Sequence, residues 1–307
     1  MKVALLGRTE TLISTGNLLR EHGHSVAAVI TSSSEPHYSA RVTDFERFAA
    51  RQGAIFRSDG HIGQDDIDKM LGMGVHVGIS INWPRKIGED VLSQFQFGVL
   101  NGHAGDLPRY RGNACMNWAI LKGEPQVAVV VHGMRGDEID RGPIYARRRR
   151  QLSDRDYISD LYDWLNDALP QLFCDVVNAV SASGVLPKPL DPGAGPEMRC
   201  YPRRPSDSEI YWAQSADAIA RLVRASSRPL AGAFTTFRGN NFRVWRAEPV
   251  ETSLVGDFCA VAGQVLSQEG SRLLVACGSG ALRIQEWTLD GQVENLPRFN
   301  ALCRLGS

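Results

Sequence analysis

The sequence predicts an α/β protein, in which a parallel sheet wrapped by helices is followed by a smaller, β-rich domain. In the first half, short apolar runs alternate with amphipathic segments, a pattern typical of strands joined by crossover helices. The amino-acid composition then changes at the stretch SASGVLPKPLDPGAGPE. This stretch is rich in Ser, Gly and Pro, which indicates a linker. Short strand-like runs dominate beyond it and predict a small barrel.

Each element of the first half has its own signal. The first strand is an apolar run that ends at Gly7, and the helix after it stops near Gly23, where a glycine is expected. Thr43 and Glu46 have the spacing of a capping box and predict the start of a second helix. Pro170 lies inside the longest helix and predicts a kink. The predicted strands are 3–6, 26–30, 55–56, 75–81, 97–100, 127–132 and 144–150, and the predicted helices include 9–22, 43–49, 64–71, 91–92, 118–121 and 157–180.

The second half contains one predicted helix, near 217–225, and five predicted strands. The turn Gly278-Ser279-Gly280 has the composition of a tight connection between two of those strands. The strands are 233–237, 242–246, 263–266, 273–276 and 282–287. The predicted divisions of the chain are a first domain at 1–180, a linker at 181–199 and a second domain at 200–307.

Charge and cysteine content exclude several classes of protein. Lys and Arg balance Asp and Glu, so a net charge of zero gives no bulk attraction to nucleic acid or to an anionic membrane. The six cysteines are scattered, with no C-x-x-C pair and no zinc-type spacing, which indicates reduced thiols in a cytoplasmic protein and implies no metal. The first residues run directly into a strand, and no apolar run is long enough to cross a bilayer.

Residues 101–112, NGHAGDLPRYRG, form the most informative segment. Asn101 and His103 follow a predicted strand, where an α/β sheet presents its site, and their spacing places both side chains on one side. An amide and an imidazole so placed can both donate to an oxygen that gains negative charge. Asp140, after a later strand, could hold the imidazole protonated or take a proton from an attacking amine. The simpler interpretations are a surface histidine and an aspartate in a turn.

The four consecutive arginines at 147–150 have two interpretations. Their charge resembles that of a nucleic-acid patch. On a strand, however, alternate arginines face opposite sides, so we favour a solvated edge strand.

The ordered set N-x-H-x-x-x-L-P-x-Y-R-G, NWAILKGE, VVVHGM and D-x-G-x-I resembles the 10-formyltetrahydrofolate-dependent formyltransferases. The second half, with PRRPSDSEIYW and LVRASSRPLAGAFT, resembles the C-terminal domain of methionyl-tRNA formyltransferase. It equally resembles that of the formyltransferase acting on UDP-4-amino-4-deoxy-arabinose. The resemblance covers nearly the whole chain and implies a Rossmann-like catalytic domain with an OB-like C-terminal domain.

The resemblance also implies a site and a mechanism. Asn101, His103 and Asp140 match the catalytic trio, in which the amide and a protonated imidazole stabilise the oxyanion formed when an amine attacks the formyl carbon. The carboxylate supports the imidazolium and assists deprotonation of the amine. The co-substrate implied is 10-formyltetrahydrofolate. Its pterin pocket is matched by one loop that includes Asn82, Trp83, Pro84, Arg85, Lys86 and Ile87, and by a second that includes Asp137 and Ile139.

Two departures from the family pattern concern the acceptor. The usual Ser-Leu-Leu-Pro after the histidine is here Gly-Asp-Leu-Pro, so that Asp106 is an additional carboxylate. It either contacts the acceptor or caps the loop, and the sequence leaves both open. Cys115 replaces the usual proline of the Arg-Gly-x-x-Pro stretch. The remaining candidates for acceptor binding are Arg109, Tyr110, Arg111, Arg203 and Arg204.

The acceptor has several possible identities. A tRNA enzyme needs Lys and Arg to grip a polyanion, but residues 31–42 contain only Arg41 as a fixed positive charge, and no Lys occurs from Tyr201 onward. This favours the amine of a nucleotide-linked amino sugar over methionyl-tRNA. A hydroxyornithine-type small amine remains an alternative, as does a folate-binding protein without transfer activity. The sugar, its nucleotide and the oligomeric state are not specified, and a homodimer is only a family-level expectation.

Overall fold

The computed structural model describes residues 1–136, 138–193, 195–250, 258–290, 299–300 and 302–306. The chain divides into two compact units, each assembled from separate stretches of sequence. The first consists of Met1–Cys115, Gln126–Gln151 and Tyr162–Tyr201, and the second of Met116–Pro125, Leu152–Leu161 and Pro202–Ser307. The domain boundaries at 180 and 199 stay predictions.

A seven-stranded sheet forms the centre of the first unit. Five strands run parallel, as predicted, because the connections between them, which contain helices, return the chain to the same end of the sheet. The last two strands run antiparallel to their neighbours, which the sequence pattern did not predict. In spatial order the strands are β3 (Ile55–Arg57), β2 (Ser25–Ile30), β1 (Lys2–Gly7), β4 (Val77–Ile81), β5 (Val99–His103), β7 (Gln126–Gly133) and β8 (Ile144–Gln151).

Helices lie at or near the predicted positions. The capping-box prediction at Thr43 was wrong, because the helix begins at Val42 and the carboxylate of Asp44 accepts the backbone N–H of Arg41 at 2.7 Å. Asp44 lies three residues after Arg41 and therefore reaches back to the residue that precedes the helix. The helices are α1 (Glu10–Glu21), α2 (Val42–Gln52), α3 (Gln64–Gly72), α4 (Glu89–Leu92), α5 (Cys115–Lys122), α6 (Ile158–Ser183) and α7 (Ala216–Ser226).

The first unit also contains a short two-stranded sheet that the sequence did not predict. β6 (Tyr110–Gly112) lies in the segment predicted to be a loop, and β9 (Met198–Cys200) begins inside the predicted linker. The two strands pair in parallel, with Gly112 opposite Cys200. Strands of three residues are too short to show an apolar alternation, so no pattern marks them. As a result, the end of the linker lies beside the segment that follows His103.

The second unit is β-rich, as predicted. Its sheet has five antiparallel strands around a buried aromatic cluster in which Phe242 stacks on Trp287 with ring centroids 4.9 Å apart. Helix α7 is capped by Ser215, whose hydroxyl accepts the N–H of Ala218 at 3.2 Å. The strands in spatial order are β10 (Ala233–Phe237), β11 (Asn240–Val250), β14 (Ala281–Leu289), β13 (Arg272–Ala276) and β12 (Val265–Glu269).

Neither a membrane-spanning helix nor a metal-binding cluster occurs among the described residues. Among them, no helix combines the length and apolar character that a membrane span requires. Within the same residues, no three or more His, Cys, Asp or Glu side chains are grouped so that they could hold a metal ion.

Gly7 provides a test of how tightly β1 and β4 are packed. A Cβ at Gly7 would lie 2.0 Å from the carbonyl oxygen of Ile81, and φ is +154°, a region that other residues rarely adopt. We expect Gly7→Ala to lower the urea midpoint of unfolding far more than Gly23→Ala. Gly23 also has a positive φ, +83°, but a Cβ there meets no atom within 4 Å. Equal midpoints for the two variants would contradict the close approach.

Candidate active site

Strand β5 positions two of the predicted catalytic side chains. It lies between β4 and β7, where Asn101 is opposite Ser80 on one side and His132 on the other. Asn101 is half-buried and His103 is buried. The residue between them is Gly102, and a Cβ there would lie 2.9 Å from the ring of Phe173 on α6. A glycine at this position therefore lets the helix pack directly against the strand that carries the site.

Asp140 joins the cluster from the segment between β7 and β8. Its Oδ2 lies 3.6 Å from Nδ1 of His103 and accepts the backbone N–H of Gly112 at 2.7 Å. Its backbone φ is +54°, in the left-handed region, which costs free energy for a residue other than glycine. Strain of this kind persists only where surrounding contacts hold the residue in place. Such residues cluster at functional sites. The structure thus brings Asp140 to His103, as the sequence predicts.

The His103 ring is fixed by the loop that follows it. Nε2 lies 2.6 Å from the carbonyl oxygen of Tyr110, which can only accept a hydrogen bond, so Nε2 carries the proton. Nδ1 is then the nitrogen that faces Asp140. A Cβ at Gly105 would lie 2.6 Å from Nε2 and 2.2 Å from that same carbonyl. Glycine is thus required at position 105 for the imidazole to make this contact.

The pKa values of the pair indicate which charges are present. Burial would raise the pKa of Asp140, but the positive potential of His103 and His132 and the hydrogen bond from Gly112 outweigh it and hold that pKa well below its usual range. Burial lowers the pKa of His103, against the opposing effects of Asp140 and the Tyr110 carbonyl. The carboxylate of Asp140 is therefore ionised at neutral pH. The protonated His103 that the family resemblance implied stays a prediction, because burial lowers the pKa of that ring while Asp140 and the Tyr110 carbonyl raise it.

A second histidine, which the sequence analysis did not assign to the site, completes the cluster. His132 ends the predicted strand 127–132, and its Nε2 lies 3.1 Å from Nδ2 of Asn101 and 3.5 Å from Oδ1 of Asp140. Periodicity alone places it among core residues of β7. The signal that could have found it is the antiparallel register that sets it opposite Asn101.

The predicted pterin loop borders an apolar cluster. Ile87 is buried and Trp83 is half-buried, whereas Asn82, Pro84, Arg85 and Lys86 are exposed. Asn82 has a φ of +52°, and its amide donates to the hydroxyl of Tyr38 at 3.1 Å. The cluster is formed by buried Ile87, Leu92, Phe95 and Val99, with Trp83, Val91 and Met134 packed against them.

The segment that contains the second predicted wall approaches the start of α4, just after this loop. The backbone N–H of Gly136 donates to Glu89 at 2.9 Å, and a Cβ at Gly136 would lie 2.5 Å from the backbone nitrogen of Glu89. Ile139 is exposed, and Asp137 lies outside the described residues. A cavity of about 400 Å³ adjoins the cluster, lined among others by Leu92, Val99 and Met134, and its lining includes none of the predicted catalytic trio.

Asp106 is held by two arginines of strand β8. Its carboxylate lies 3.3 Å from Nε of Arg147 and 3.0 Å from Nε of Arg149, and Arg147 also donates to the carbonyl of Leu107 at 2.7 Å. Of the two interpretations of Asp106, these contacts favour the loop anchor. The arginine run does lie on an edge strand. The expectation that it is solvated was wrong for Arg147, whose side chain is only 9% exposed because it faces Asp106.

Arg111, like Arg147 and Arg149, is held by contacts within the protein. Its Nε donates to the carbonyl of Ile139 at 3.0 Å, and its Nη1 lies 2.6 Å from Glu197, which also binds Arg141. Glu197 belongs to the predicted linker and was not assigned to the site. It therefore ties the segment before β9 to the residues on either side of Asp140.

The other candidates for acceptor binding have different surroundings. Arg109 is exposed, with its guanidinium 5.6 Å from the ring centroid of buried Tyr110. Arg203 and Arg204 belong to the second unit. There Arg203 donates to the hydroxyl groups of Ser208 and Ser226, at 3.3 and 3.2 Å, and Arg204 is exposed.

Cys115, which replaces the usual proline, contacts both His103 and Tyr110. Its thiol donates to the carbonyl of Tyr110 at 3.3 Å and lies 3.8 Å from Nε2 of His103. A hydrogen bond with Cys200 and burial raise the pKa of the Cys115 thiol far above its ordinary value. The thiol therefore stays protonated at neutral pH, which excludes a thiolate nucleophile at this position.

Comparisons with known families cover both halves of the chain. Residues 1–177 match the family described as formyl transferase, and residues 203–299 match the formyl transferase C-terminal domain.

Solved structures with the same fold include two N-formyltransferases. WlaRD, a sugar 3N-formyltransferase solved with dTDP and 5-N-formyl-THF, is 13% identical with a TM-score of 0.67, over 95% of this chain and 99% of its own. The N-formyltransferase from Helicobacter canadensis, solved with folinic acid and dTDP-3-aminofucose, is 13% identical with a TM-score of 0.66, over 93% of this chain and 99% of its own. At these identities the likeness shows the fold.

A third similar structure is much longer than this chain. HypX from Aquifex aeolicus, solved with tetrahydrofolic acid, is 18% identical with a TM-score of 0.62 over 94% of this chain. The chain spans only 44% of the length of HypX.

The loop-anchor interpretation of Asp106 is tested by a double-mutant cycle with Arg149. We expect Asp106→Ala and Arg149→Ala each to lower the free energy of unfolding, with a coupling of about 0.5–1 kcal/mol because the pair is partly exposed. Urea unfolding of the four proteins measures this coupling. If Asp106 instead contacts a substrate, the two changes would be additive, and Asp106→Asn would raise a substrate KM without affecting stability.

Proposed function

The chain belongs to the formyl transferase family, and we propose that it moves a formyl group from 10-formyltetrahydrofolate to the primary amine of a nucleotide-linked amino sugar. The observation that carries the proposal is the convergence of an amide, an imidazole and a carboxylate from separate segments. Asn101 and His103 come from β5, and Asp140 comes from the segment after β7. These are the groups that an acyl transfer to an amine requires, namely a donor to the carbonyl oxygen and an acceptor for a proton.

Asn101 and the His103–Asp140 pair have distinct roles in the proposed reaction. Asn101 donates an N–H to the formyl oxygen as negative charge develops there. The His103–Asp140 pair takes up the proton that the amine loses, at Nδ1, the ring nitrogen without a proton. The resulting imidazolium lies beside the ionised carboxylate, which stabilises its charge, and it stabilises the developing negative charge as well. This role requires a neutral His103 ring at the start of transfer, and burial, which lowers the pKa of that ring, favours it.

The residues at the predicted folate pocket fit a flat, partly polar ring. The apolar cluster around Ile87 and Trp83 provides a surface against which such a ring can pack. The exposed backbone of 82–86 provides peptide N–H and C=O groups beside it. When bound, 10-formyltetrahydrofolate would supply the activated formyl group. The proposal gains support from WlaRD and the Helicobacter canadensis enzyme, whose structures contain folate derivatives and share this fold.

The surroundings of Arg41 support a small acceptor over tRNA. Arg41 is the only fixed positive charge within 31–42. Its guanidinium donates to three carbonyl oxygens of the same segment, those of Glu35 at 3.2 Å, Pro36 at 3.3 Å and Tyr38 at 2.7 Å. A cation held by its own loop contributes little to gripping a phosphate backbone, where affinity depends on the number of free cations. The dTDP-linked amino sugar bound to the Helicobacter canadensis enzyme is an acceptor of the class proposed.

We expect Asn101→Ala to lower kcat by about 10²–10³, because it removes a donor to the developing oxyanion. His103→Ala and Asp140→Ala should also lower kcat by orders of magnitude, because each removes part of the proton acceptor. Asn240→Ala, at an exposed position in the second unit, is the matched control and should retain wild-type turnover. Initial rates of formyl transfer, with circular dichroism to confirm folding, provide the measurement. Near-normal rates in all three variants would refute the mechanism.

The acceptor is tested by comparing purified substrates at fixed 10-formyltetrahydrofolate. We expect formylation of dTDP- or UDP-linked amino sugars and no formylation of methionyl-tRNA. A small amine such as hydroxyornithine serves as the third arm of the comparison. Formylation of methionyl-tRNA with strong, salt-sensitive tRNA binding would overturn the choice of acceptor while leaving the transfer chemistry intact.

A further inference from the structure

We infer that His132 is a positioning residue, which fixes the side-chain amide of Asn101 so that an N–H faces the transferred formyl group. The inference rests on the proposed formyl transfer and adds to it a residue outside the predicted trio. Its basis is the position of His132 in the sheet and the hydrogen bonds of its two ring nitrogens.

The surroundings of His132 determine which ring nitrogen carries the proton. Nδ1 lies 2.9 Å from the carbonyl oxygen of Gly133, which can only accept, so the proton is on Nδ1. In the neutral ring, Nε2 then has a lone pair, and the group 3.1 Å away is Nδ2 of Asn101, which can only donate. The ring is 1% exposed, so water does not compete for either contact.

The contact determines how the Asn101 amide is presented. Rotation about the last side-chain bond of an asparagine has two broad minima that exchange the oxygen and the nitrogen. Only the orientation with nitrogen toward His132 satisfies the Nε2 lone pair. The second N–H of the same nitrogen then stays available at the half-buried position of Asn101. In the opposite orientation two lone pairs would meet at His132, and Nδ2 would turn away from the position it now holds.

Asp140 provides an alternative partner for the same ring nitrogen. Its Oδ1 lies 3.5 Å from Nε2 of His132, so a ring with its proton on Nε2 would bond to the carboxylate instead. Asn101 would then lose its acceptor. The tautomer of His132 therefore distinguishes a residue that positions Asn101 from one that only stabilises Asp140.

Two substitutions at His132 separate these contacts. His132→Gln places a carbonyl oxygen near the position of Nε2 and can still accept from Asn101. His132→Asn retains a donor near Nδ1 for Gly133 and has no group near Nε2. We expect His132→Asn to lower kcat by about 10- to 100-fold with little change in either KM, since a displaced reacting group costs about this much. His132→Gln should stay within a few-fold of wild type.

A double variant at His132 and Asn101 distinguishes a positioning role from a purely structural one. In an Asn101→Ala background, His132→Asn should change kcat by less than about twofold, because the amide that it positions is absent. Additive losses in the double variant would overturn the inference. So would equal losses in His132→Gln and His132→Asn when urea unfolding shows both to be as stable as the wild type.

A measurement that needs no turnover tests the contact itself. In protein labelled with ¹⁵N-histidine, long-range ¹H–¹⁵N spectra should show His132 as the neutral tautomer protonated on Nδ1. A ring protonated on Nε2 would overturn the inference. If the wild type transfers no formyl group to any acceptor, the proposed function and the positioning role in it fail together. In that case the spectra still show whether the Asn101–His132 contact exists.

Discussion

The ionised carboxylate of Asp140 is the constraint on which the site depends. A charge largely removed from water is costly unless hydrogen bonds and opposite charges compensate it, and the Asp140 side chain is only 13% exposed. Groups from three strands surround it: the backbone N–H of Gly112 on β6 donates to Oδ2, and the rings of His103 on β5 and His132 on β7 lie 3.6 and 3.5 Å from its oxygens. The carboxylate therefore needs all three strands in register. This requirement ties the electrostatics of the site to the geometry of the sheet.

The loop between His103 and β6 is held at both ends by ion pairs. Asp106 is bound to the edge strand by Arg147 and Arg149, and Arg111 is bound by Glu197. The loop leads into Tyr110, the first residue of β6, whose carbonyl contacts Nε2 of His103, so its conformation bears on the proton transfer that we propose. A catalytic constellation held within a fraction of an ångström requires this kind of surrounding support.

The sequence was sufficient for the larger elements and for part of the site. The strands of the parallel sheet were predictable because long apolar runs and helical periodicity are local signals, and Asn101 and His103 share one such strand. The β6–β9 ladder was not predictable, since three residues show no periodicity. His132 was missed because its contact with Asn101 depends on the register of an antiparallel pair, which no local pattern specifies. The partners of Asp106 could not be predicted for the same reason, since they depend on how β8 lies against the loop.

The arginine run on β8 has a consequence for the free edge of the sheet. Among the described residues β8 ends the strand order of this sheet, and at its start the carbonyl of Ile144 accepts the backbone N–H of Leu190 at 2.7 Å. An unpaired edge invites the addition of a foreign strand and thereby self-association, and closely spaced like charges oppose it. Arg147 and Arg149 share the single negative charge of Asp106, whereas Arg148 is exposed at the edge. The same run thus anchors the loop that follows His103, and its concentration of positive charge opposes edge-to-edge association in a protein whose overall charge is zero.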